Sequence, residues 1–345
     1  MEKDLWEYLK TAQKPIVLYG MGNGADKIIA VLEQKGIKFD AIFASDGFVR
    51  EKFFHGMPIK HYSDLKNQYG DMIVLLCFGS SRPEVLENVK KIAAEQELYA
   101  PEVPVIGDGL FDKSYYLKHR ENFKELSNIL ADNRSKQTLE CLLKYKISGK
   151  IDYLFQCEVP IDEPYQTILT PRDNEIFLDL GAYNGETALD FARRSPNYKN
   201  IIAVEPDRRT FQKLIKNTEH LRDIERYNFC ISDFSGIGKF GMKSGRNSAV
   251  SSSGTDAMFH TVDSLLDGRE VTFIKMDIEG EENRALLKAE QTIHRFKPRL
   301  LISAYHRTED FWALPQTVLS IRPDYRVYMR HFPSLPAWDT VYYFI

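Results

Sequence analysis

The feature that most constrains this chain is an apolar strand pattern followed at once by a glycine loop and a helix pattern, in residues 175–187. The apolar run is short and uninterrupted, which is typical of a parallel strand that is covered on both faces. Gly181 and Gly185 follow it, where the backbone has to bend sharply beside a ligand. A second apolar run, 201–204, ends in Glu205. This order predicts a nucleoside across the strand ends, with Glu205 accepting hydrogen bonds from its ribose.

The loop itself indicates which nucleoside derivative binds. A dinucleotide loop has the form G-x-G-x-x-G and brings backbone N–H groups onto a pyrophosphate, whereas this loop reads D-x-G-x-x-x-G. Asp179 would repel a pyrophosphate but suits a ligand that carries an amine or a cation. The pattern resembles the cofactor loop of Rossmann-like methyltransferases that use S-adenosylmethionine. Asp179 is then expected to hold the amino-acid end of the cofactor, and Gly181, Ala182 and Gly185 to let the cofactor approach the backbone. A glycine turn that serves only helix–strand packing is the alternative.

Further segments narrow the resemblance to one family. The segments similar to the FkbM methyltransferases are 177–185, 204–206, 261–265, 273–280 and 297–300. Together they extend over about residues 171–345. The resemblance implies methylation of a hydroxyl group on a sugar, a glycan or a secondary metabolite.

The end of the third predicted strand carries another acid, Asp233. In related methyltransferases this position often contacts the adenine amino group, so the resemblance implies that role here. The alternative is an Asx-type turn that leads into residues 234–236.

Two acids follow the fourth predicted strand, Asp277 and Glu279. Alternation along a strand places both on one face, at the mouth where a transferable methyl group is expected. Methyl transfer to oxygen is an in-line displacement, so the acceptor has to be aligned and its proton removed. We predict that Asp277 and Glu279 orient the acceptor or take its proton. Capping of the following helix is the alternative.

Two histidines follow the fifth and sixth predicted strands, His306 and His331. A single histidine is usually structural, but two at the same rim as Asp277 are candidates for acid–base chemistry. With Asp277 or Glu279 they offer ligands for a divalent cation. Spacing across separate strands does not show that the side chains converge, and no metal is predicted.

The chain as a whole has the length and composition of a two-domain globular protein. Its 345 residues are 43% hydrophobic and can bury two cores. The net charge of −3 gives no field for nucleic acid. The four cysteines form no C-x-x-C pair, so buried, reduced thiols are expected. The N-terminus has no apolar signal core and no apolar run is long enough to span a bilayer, which predicts a cytoplasmic location.

The N-terminal part contains a second strand, loop, helix, strand pattern. Gly20, Gly22 and Ala25 match G-x-G-x-x-A, and Asp46 stands where a ribose-binding acid is expected. A dinucleotide site, another nucleotide or nucleotide-sugar pocket, and a structural or dimerising domain all fit this pattern. A homo-oligomer formed through this domain is therefore one expectation.

The predicted fold is α/β, with a seven-stranded Rossmann-like methyltransferase sheet preceded by a smaller Rossmann-like domain. The predicted domains are 1–112, a helical connector at 113–170, and 171–345. A hairpin insertion is expected at 236–253 and a rim loop at 330–339. The predicted strands of the second domain are 176–180, 201–205, 226–231, 271–277, 299–305, 325–330 and 339–344.

The predicted reaction is O-methylation of a sugar hydroxyl in a glycan or a glycan precursor, from S-adenosylmethionine. The acceptor is expected to be a small molecule or a carbohydrate. An N- or C-methyltransferase is one alternative. A scaffold or sensor protein that binds the cofactor without turnover is another.

Overall fold

The N-terminal sheet forms as the apolar runs predict. The computed structural model describes residues 2–45, 53–107, 109–242, 248–250 and 254–345. Six strands lie in the order β3-β4-β2-β1-β5-β6, and every neighbouring pair is parallel except β3 with β4. The elements are α1 (Leu5–Thr11), β1 (Ile16–Tyr19), α2 (Asn23–Gln34), β2 (Ala41–Ala44), β3 (Phe53–Phe54), β4 (Met57–His61), α3 (Tyr62–Tyr69), β5 (Ile73–Leu76), α4 (Pro83–Glu95) and β6 (Glu97–Tyr99).

Short helices connect this sheet to the second one. They are α5 (Lys113–Lys118), α6 (Arg120–Ile129), α7 (Asn133–Ser148), α8 (Asp152–Cys157) and α9 (Glu163–Thr167). The charged, helix-favouring sequence of 113–148 predicts two helices, but the described residues form three there. The longest, α7, begins where the Asp132 carboxylate accepts the N–H of Ser135 and ends at Gly149, which is left-handed with φ +67°.

The C-terminal sheet has seven strands, as predicted, in the order β16-β17-β15-β14-β7-β8-β9. All neighbours are parallel except that β17 is antiparallel to β15 and β16. The central strands are apolar on both faces because helices cover both sides. The elements of this sheet and its helices are β7 (Ile176–Leu180), α10 (Glu186–Arg194), β8 (Asn200–Val204), α11 (Arg208–Asn217), β9 (Ile224–Tyr227), α12 (Val262–Leu266), β14 (Phe273–Met276), α13 (Glu282–Leu287), α14 (Glu290–Phe296), β15 (Arg299–Ser303), α15 (Asp310–Ile321), β16 (Val327–His331) and β17 (Thr340–Phe344).

A small third sheet stands beside the mouth of the large one. It contains β10 (Cys230–Ile231), β11 (Gly236–Met242), β12 (Ser248–Val250) and β13 (Thr255–His260), in the order β10-β13-β11-β12. Strands β11 and β12 are antiparallel, as a hairpin requires. The expected hairpin in 236–253 is therefore present in its described residues.

The sequence pattern also predicts a strand at 103–106 and a helix at 282–294; both predictions are wrong, and one further helix was not expected. Residues 103–106 form no strand, because Pro104 has no N–H and the N–H of Ile106 donates instead to the His306 carbonyl at 2.9 Å. The predicted helix 282–294 is divided into α13 and α14. Helix α15 was not predicted, and it contains Pro315.

One buried apolar cluster runs through both sheets and the connecting helices. It includes Val17 and Val74 of the first sheet, Leu142 of α7, and Leu178 and Ile274 of the second sheet. The predicted domain boundaries therefore stay predictions, since the core does not divide at them. The four cysteines are free and buried, as expected. None of the described helices is both long and apolar enough to cross a membrane.

Candidate active site

A pocket of about 410 Å³ opens where β7, β8 and β14 end. This is the position that the strand and loop order predicts, because ligands of open parallel sheets bind at the carboxyl ends of the strands. Of the predicted residues, the pocket is lined by Gly181, Ala182, Glu205, Asp277 and Glu279. The other predicted side chains lie outside this lining.

Glu205 lies at one end of the pocket and is held rigidly. One carboxylate oxygen accepts the N–H of Tyr183 at 2.9 Å, and the other accepts the N–H of Asp207 at 2.8 Å. Each oxygen keeps a lone pair for a further donor. Burial raises the pKa of Glu205 to about 7, against the two backbone N–H groups, which lower it. The carboxylate is thus oriented to accept two hydroxyl groups, as a ribose diol requires.

Close packing requires glycine at both loop positions, 181 and 185. Gly181 has φ +79°, and a Cβ there would lie 1.9 Å from the Asp277 carbonyl oxygen. Gly185 has φ +93°, and its Cβ would lie 2.6 Å from Cγ2 of Thr218. Gly185 does not line the pocket, and its close neighbours Thr218 and Leu214 lie at the end of α11. Its part in cofactor binding stays a prediction. Gly181 and Ala182 both serve packing and line the pocket.

Asp179 is fully buried and does not line the pocket. Its carboxylate forms an ion pair with Nζ of Lys275 at 3.2 Å, and Lys275 also donates to the Gly181 carbonyl at 2.7 Å. Burial raises the pKa of Asp179, and Lys275 opposes that shift. Lys275 lines the pocket and thus links Asp179 to it, while a direct contact of Asp179 with the cofactor stays a prediction. Sequence reasoning missed Lys275, although a lysine in an otherwise apolar strand is an available signal.

Asp233 does not line the pocket either. Its carboxylate accepts two hydrogen bonds from the guanidinium of Arg284, at 2.8 and 3.0 Å. The pocket wall on that side is instead apolar and is formed by Phe229, Cys230, Ile231 and Phe240. The predicted contact between Asp233 and adenine stays a prediction. Phe240 reaches the pocket from the hairpin, which sequence reasoning did not place there.

Across β7 from Glu205, the pocket wall after β14 is acidic and carries the predicted catalytic carboxylates; this wall is called the acidic end. Asp277 and Glu279 follow the end of β14, and their side chains are 33% and 27% exposed. Tyr305 was not predicted; it lines the pocket and donates to Oδ1 of Asp277 at 3.0 Å. Glu279 has φ +55°, a backbone conformation that a non-glycine residue rarely adopts. This conformation places its carboxylate beside that of Asp277.

His306 is completely buried behind these carboxylates and does not line the pocket. Its Nε2 lies 3.5 Å from both Asp277 Oδ1 and Glu279 Oε2, and its Nδ1 lies 3.0 Å from Glu282 Oε1. Burial alone would lower the pKa of His306, but the facing carboxylates raise it to about 10. The predicted closeness of His306 and Asp277 is therefore present. Direct proton transfer from the acceptor to His306 is not supported by this position.

His331 lies at the same edge of the sheet but belongs to a different environment. Its ring is fully buried, and Nδ1 lies 3.1 Å from Oγ1 of Thr340. Burial, with the ammonium of Lys146 nearby, lowers the pKa of His331 to about 3. The ring is not part of the pocket wall. The structure thus does not bring His331 to the predicted site.

The N-terminal glycine loop borders a separate pocket of about 250 Å³. Its wall is largely apolar and includes Trp338, which comes from the rim loop of the second sheet. Gly79 allows this contact, since a Cβ there would lie 2.0 Å from the Trp338 ring. Nζ of Lys27 donates to the carbonyl groups of Pro104 and Val105. Asp46 lies outside the described residues.

Comparison with known proteins agrees with this geometry. Residues 179–332 match the family model described as the methyltransferase FkbM domain. A methyltransferase FkbM from Methylobacillus flagellatus KT is similar over 99% of this chain and 92% of its own, with 23% identity and a TM-score of 0.72. At that identity the likeness shows the fold alone.

A fibrillarin from Aeropyrum pernix, solved with S-adenosyl-L-methionine, is matched more weakly. The match covers 52% of this chain and 70% of that one, with 13% identity and a TM-score of 0.35. No curated protein sequence matches significantly.

Proposed function

Because residues 179–332 match the family model of the methyltransferase FkbM domain, we propose that this protein transfers a methyl group from S-adenosylmethionine to a hydroxyl oxygen of a sugar, in a glycan or a glycan precursor. The observation that carries the proposal is that carboxylates line one pocket from both sides of the central strand β7. Glu205 follows β8 and is fixed by two backbone N–H groups, and Asp277 and Glu279 follow β14.

The residues present fit this cofactor. The Glu205 carboxylate accepts both ribose hydroxyls, and Phe229 and Phe240 form an apolar wall for adenine. Lys275 lines the pocket, and its ammonium is suited to the cofactor carboxylate. Charge-assisted hydrogen bonds of this kind contribute roughly 1.5–3 kcal/mol each. Asp179 then acts indirectly, because it holds the Lys275 ammonium beside the loop.

The acidic end supplies what transfer to oxygen needs. The acceptor oxygen attacks the methyl carbon in line with the sulfur, so the O–C bond forms as the S–C bond breaks. S-adenosylhomocysteine leaves, and the acceptor proton passes to a carboxylate at this end. Asp277 and Glu279 both line the pocket and are the groups placed to orient the hydroxyl and accept that proton.

A sugar suits this wall better than an anionic acceptor. Asp277, Glu279 and Asp339 line it with carboxylates, and Tyr305 adds a hydroxyl. Neighbouring sugar hydroxyls can donate to several acceptors at once, whereas a phosphate or carboxylate there would be repelled. The family resemblance supplies the same class of acceptor. An N- or C-methyltransferase and a cofactor-binding protein without turnover are the competing functions.

The test is transfer of labelled methyl from S-adenosylmethionine to fractionated pools of sugars, nucleotide sugars and glycans. We expect label in a carbohydrate fraction, in a product with an ether linkage that resists mild base. The variant Glu279→Gln keeps the shape of the side chain, and we expect it to lose methyl transfer while it still binds the cofactor. Label on nitrogen or carbon would support the first competing function. Cofactor binding with no labelled fraction would support the second.

A further inference from the structure

Behind the acidic end of the pocket, three elements bring metal-binding side chains together. Asp277 follows β14, Glu282 begins α13, and His306 follows β15. One donor atom from each lies within 4.8 Å of the other two. Glu279 adds a carboxylate oxygen 3.5 Å from Nε2 of His306. The chain therefore converges on this point from three separate elements of the fold.

The buried groups of this cluster face one another as ion pairs but make few well-formed hydrogen bonds. Neither ring nitrogen of His306 makes a hydrogen bond of acceptable geometry within the described part of the chain, and both are fully buried. The same holds for Oε2 of Glu282, while Oε1 accepts the N–H of Ile278 at 2.8 Å. Buried polar atoms of this kind are rare and need a ligand, water or ion to account for them.

The charges of this cluster also favour a bound cation. Asp277, Glu279 and Glu282 each place a carboxylate oxygen within 3.5 Å of a ring nitrogen of His306. A single imidazolium offsets at most one of these carboxylates, and the nearby ammonium of Lys275 is already paired with Asp179. Buried carboxylates that stay uncompensated are costly, so a divalent cation with a neutral imidazole would restore the balance.

We propose that Asp277, Glu282 and His306 form a binding site for a divalent first-row transition-metal cation. One imidazole with several carboxylates favours Mn²⁺, Fe²⁺ or Zn²⁺ over Mg²⁺, which prefers an all-oxygen shell. Asp277 lines the pocket, so a cation on this carboxylate lies at the wall that faces the acceptor. Binding of the cation does not depend on methyl transfer. Its role in lowering the pKa of an acceptor hydroxyl rests on the proposed function.

The direct test is metal binding by the full chain, without an affinity tag and stripped by a chelator. Electron paramagnetic resonance with Mn²⁺ alone measures the free and bound ion, and we expect one ion per chain. Asp277→Asn and Glu282→Gln should each weaken binding roughly tenfold or more. Asp277→Asn is the safer variant, because its side chain is partly exposed and its loss leaves the core intact.

Two controls make the result specific. Glu290→Gln and His294→Ala change the same residue types on α14, outside the cluster, and should bind Mn²⁺ as the wild type does. Zn²⁺ should displace Mn²⁺, whereas Mg²⁺ at the same concentration should not. The proposal is overturned if the stripped wild type binds neither Mn²⁺ nor Zn²⁺. It is equally overturned if the cluster variants bind like the controls.

A second readout separates this proposal from the proposed function. If the chain binds one ion but methylates nothing, the metal site is supported and only the proposed methyl transfer is refuted. Full methyl transfer by stripped protein that binds no ion would overturn the metal site and support the transferase. The His306 imidazolium would then be a buried counter-ion for the carboxylates.

Discussion

At the scale of single residues, the pocket is specified by side chains whose charges are set by their surroundings. Glu205 is fixed by two backbone N–H groups, and Lys275 is fixed by Asp179 and a carbonyl group. These restraints orient the groups before a ligand arrives, which reduces the free-energy cost of binding. The ionisation of Glu205 should therefore be visible in cofactor binding.

Cofactor affinity should depend on pH through Glu205. Its pKa is raised to about 7 in the free protein, and ribose hydroxyls that donate to the carboxylate favour the ionised form. Affinity is then full above pH 7 and falls as the pH drops through 7, by up to about tenfold per pH unit. Calorimetry from pH 5.5 to 8 measures this, with Glu205→Gln as the variant that should lose the dependence. A flat wild-type profile would show that Glu205 does not contact the ligand as its anion.

The chemical step should depend on Asp277. Asp277→Asn should keep cofactor affinity but lose turnover by roughly 10²–10⁴-fold at saturating acceptor, because the lost interaction acts on the transition state. Single-turnover transfer of labelled methyl measures the effect. Asp267→Asn, at the exposed end of α12, is the matched control. Normal turnover in Asp277→Asn would assign this carboxylate a structural role.

At the scale of elements, the pocket depends on how closely the loop after β7 approaches the end of β14. Gly181 is the contact point, and no other residue type fits there. This demand is separate from the left-handed backbone, which other residues adopt at a modest cost. Close packing and backbone conformation can be distinguished by comparison with a glycine that has the left-handed backbone but no close neighbour.

We expect Gly181→Ala to destabilise the fold by more than the roughly 1–2 kcal/mol of a left-handed alanine. Its Cβ would lie 1.9 Å from the Asp277 carbonyl oxygen, whereas at Gly268 the φ is similar, +76°, and the nearest atom is 3.7 Å away. Gly268→Ala is therefore the control for backbone conformation alone. Denaturant midpoints compare the two variants, and equal midpoints would contradict the packing argument.

Much of the fold follows from local sequence pattern, but the pattern does not show which side chains meet at the pocket. The apolar runs of β7, β8 and β14 predicted the sheet, and the acid after β8 predicted Glu205. The positions of His306 and His331 could not be read in this way, because burial and side-chain direction are set by contacts distant in sequence. Helix α15 was missed since Pro315 suggests an interruption, although the helix accommodates it.

At the scale of the whole molecule, the two sheets share one core, and the catalytic half is supported by the preceding helices. Arg330 is 1% exposed and pairs with Asp132 and Glu163, and Ser135 Oγ accepts the N–H of Met329 at 2.9 Å. These partners precede the second sheet in sequence. We therefore expect the connecting helices to stabilise the second sheet.

Residues 171–345 alone should therefore be less stable than the full chain. The fragment leaves Arg330 without Asp132 and Glu163, and it exposes the apolar surface that α7 covers. We expect a lower melting temperature and faster proteolysis within β16 and β17. Thermal unfolding and limited proteolysis of both forms measure this. Equal melting temperatures would show that the second sheet is an independent domain.

The central claim is that the pocket between Glu205 and Asp277 binds S-adenosylmethionine. Titration calorimetry of the full chain tests it most directly, with S-adenosylmethionine, S-adenosylhomocysteine and NAD as ligands. We predict that both sulfur cofactors bind once per chain, and that Glu205→Gln weakens them by about 10–100-fold with an unchanged melting temperature. NAD binding without either sulfur cofactor, or wild-type affinity in Glu205→Gln, would contradict the claim.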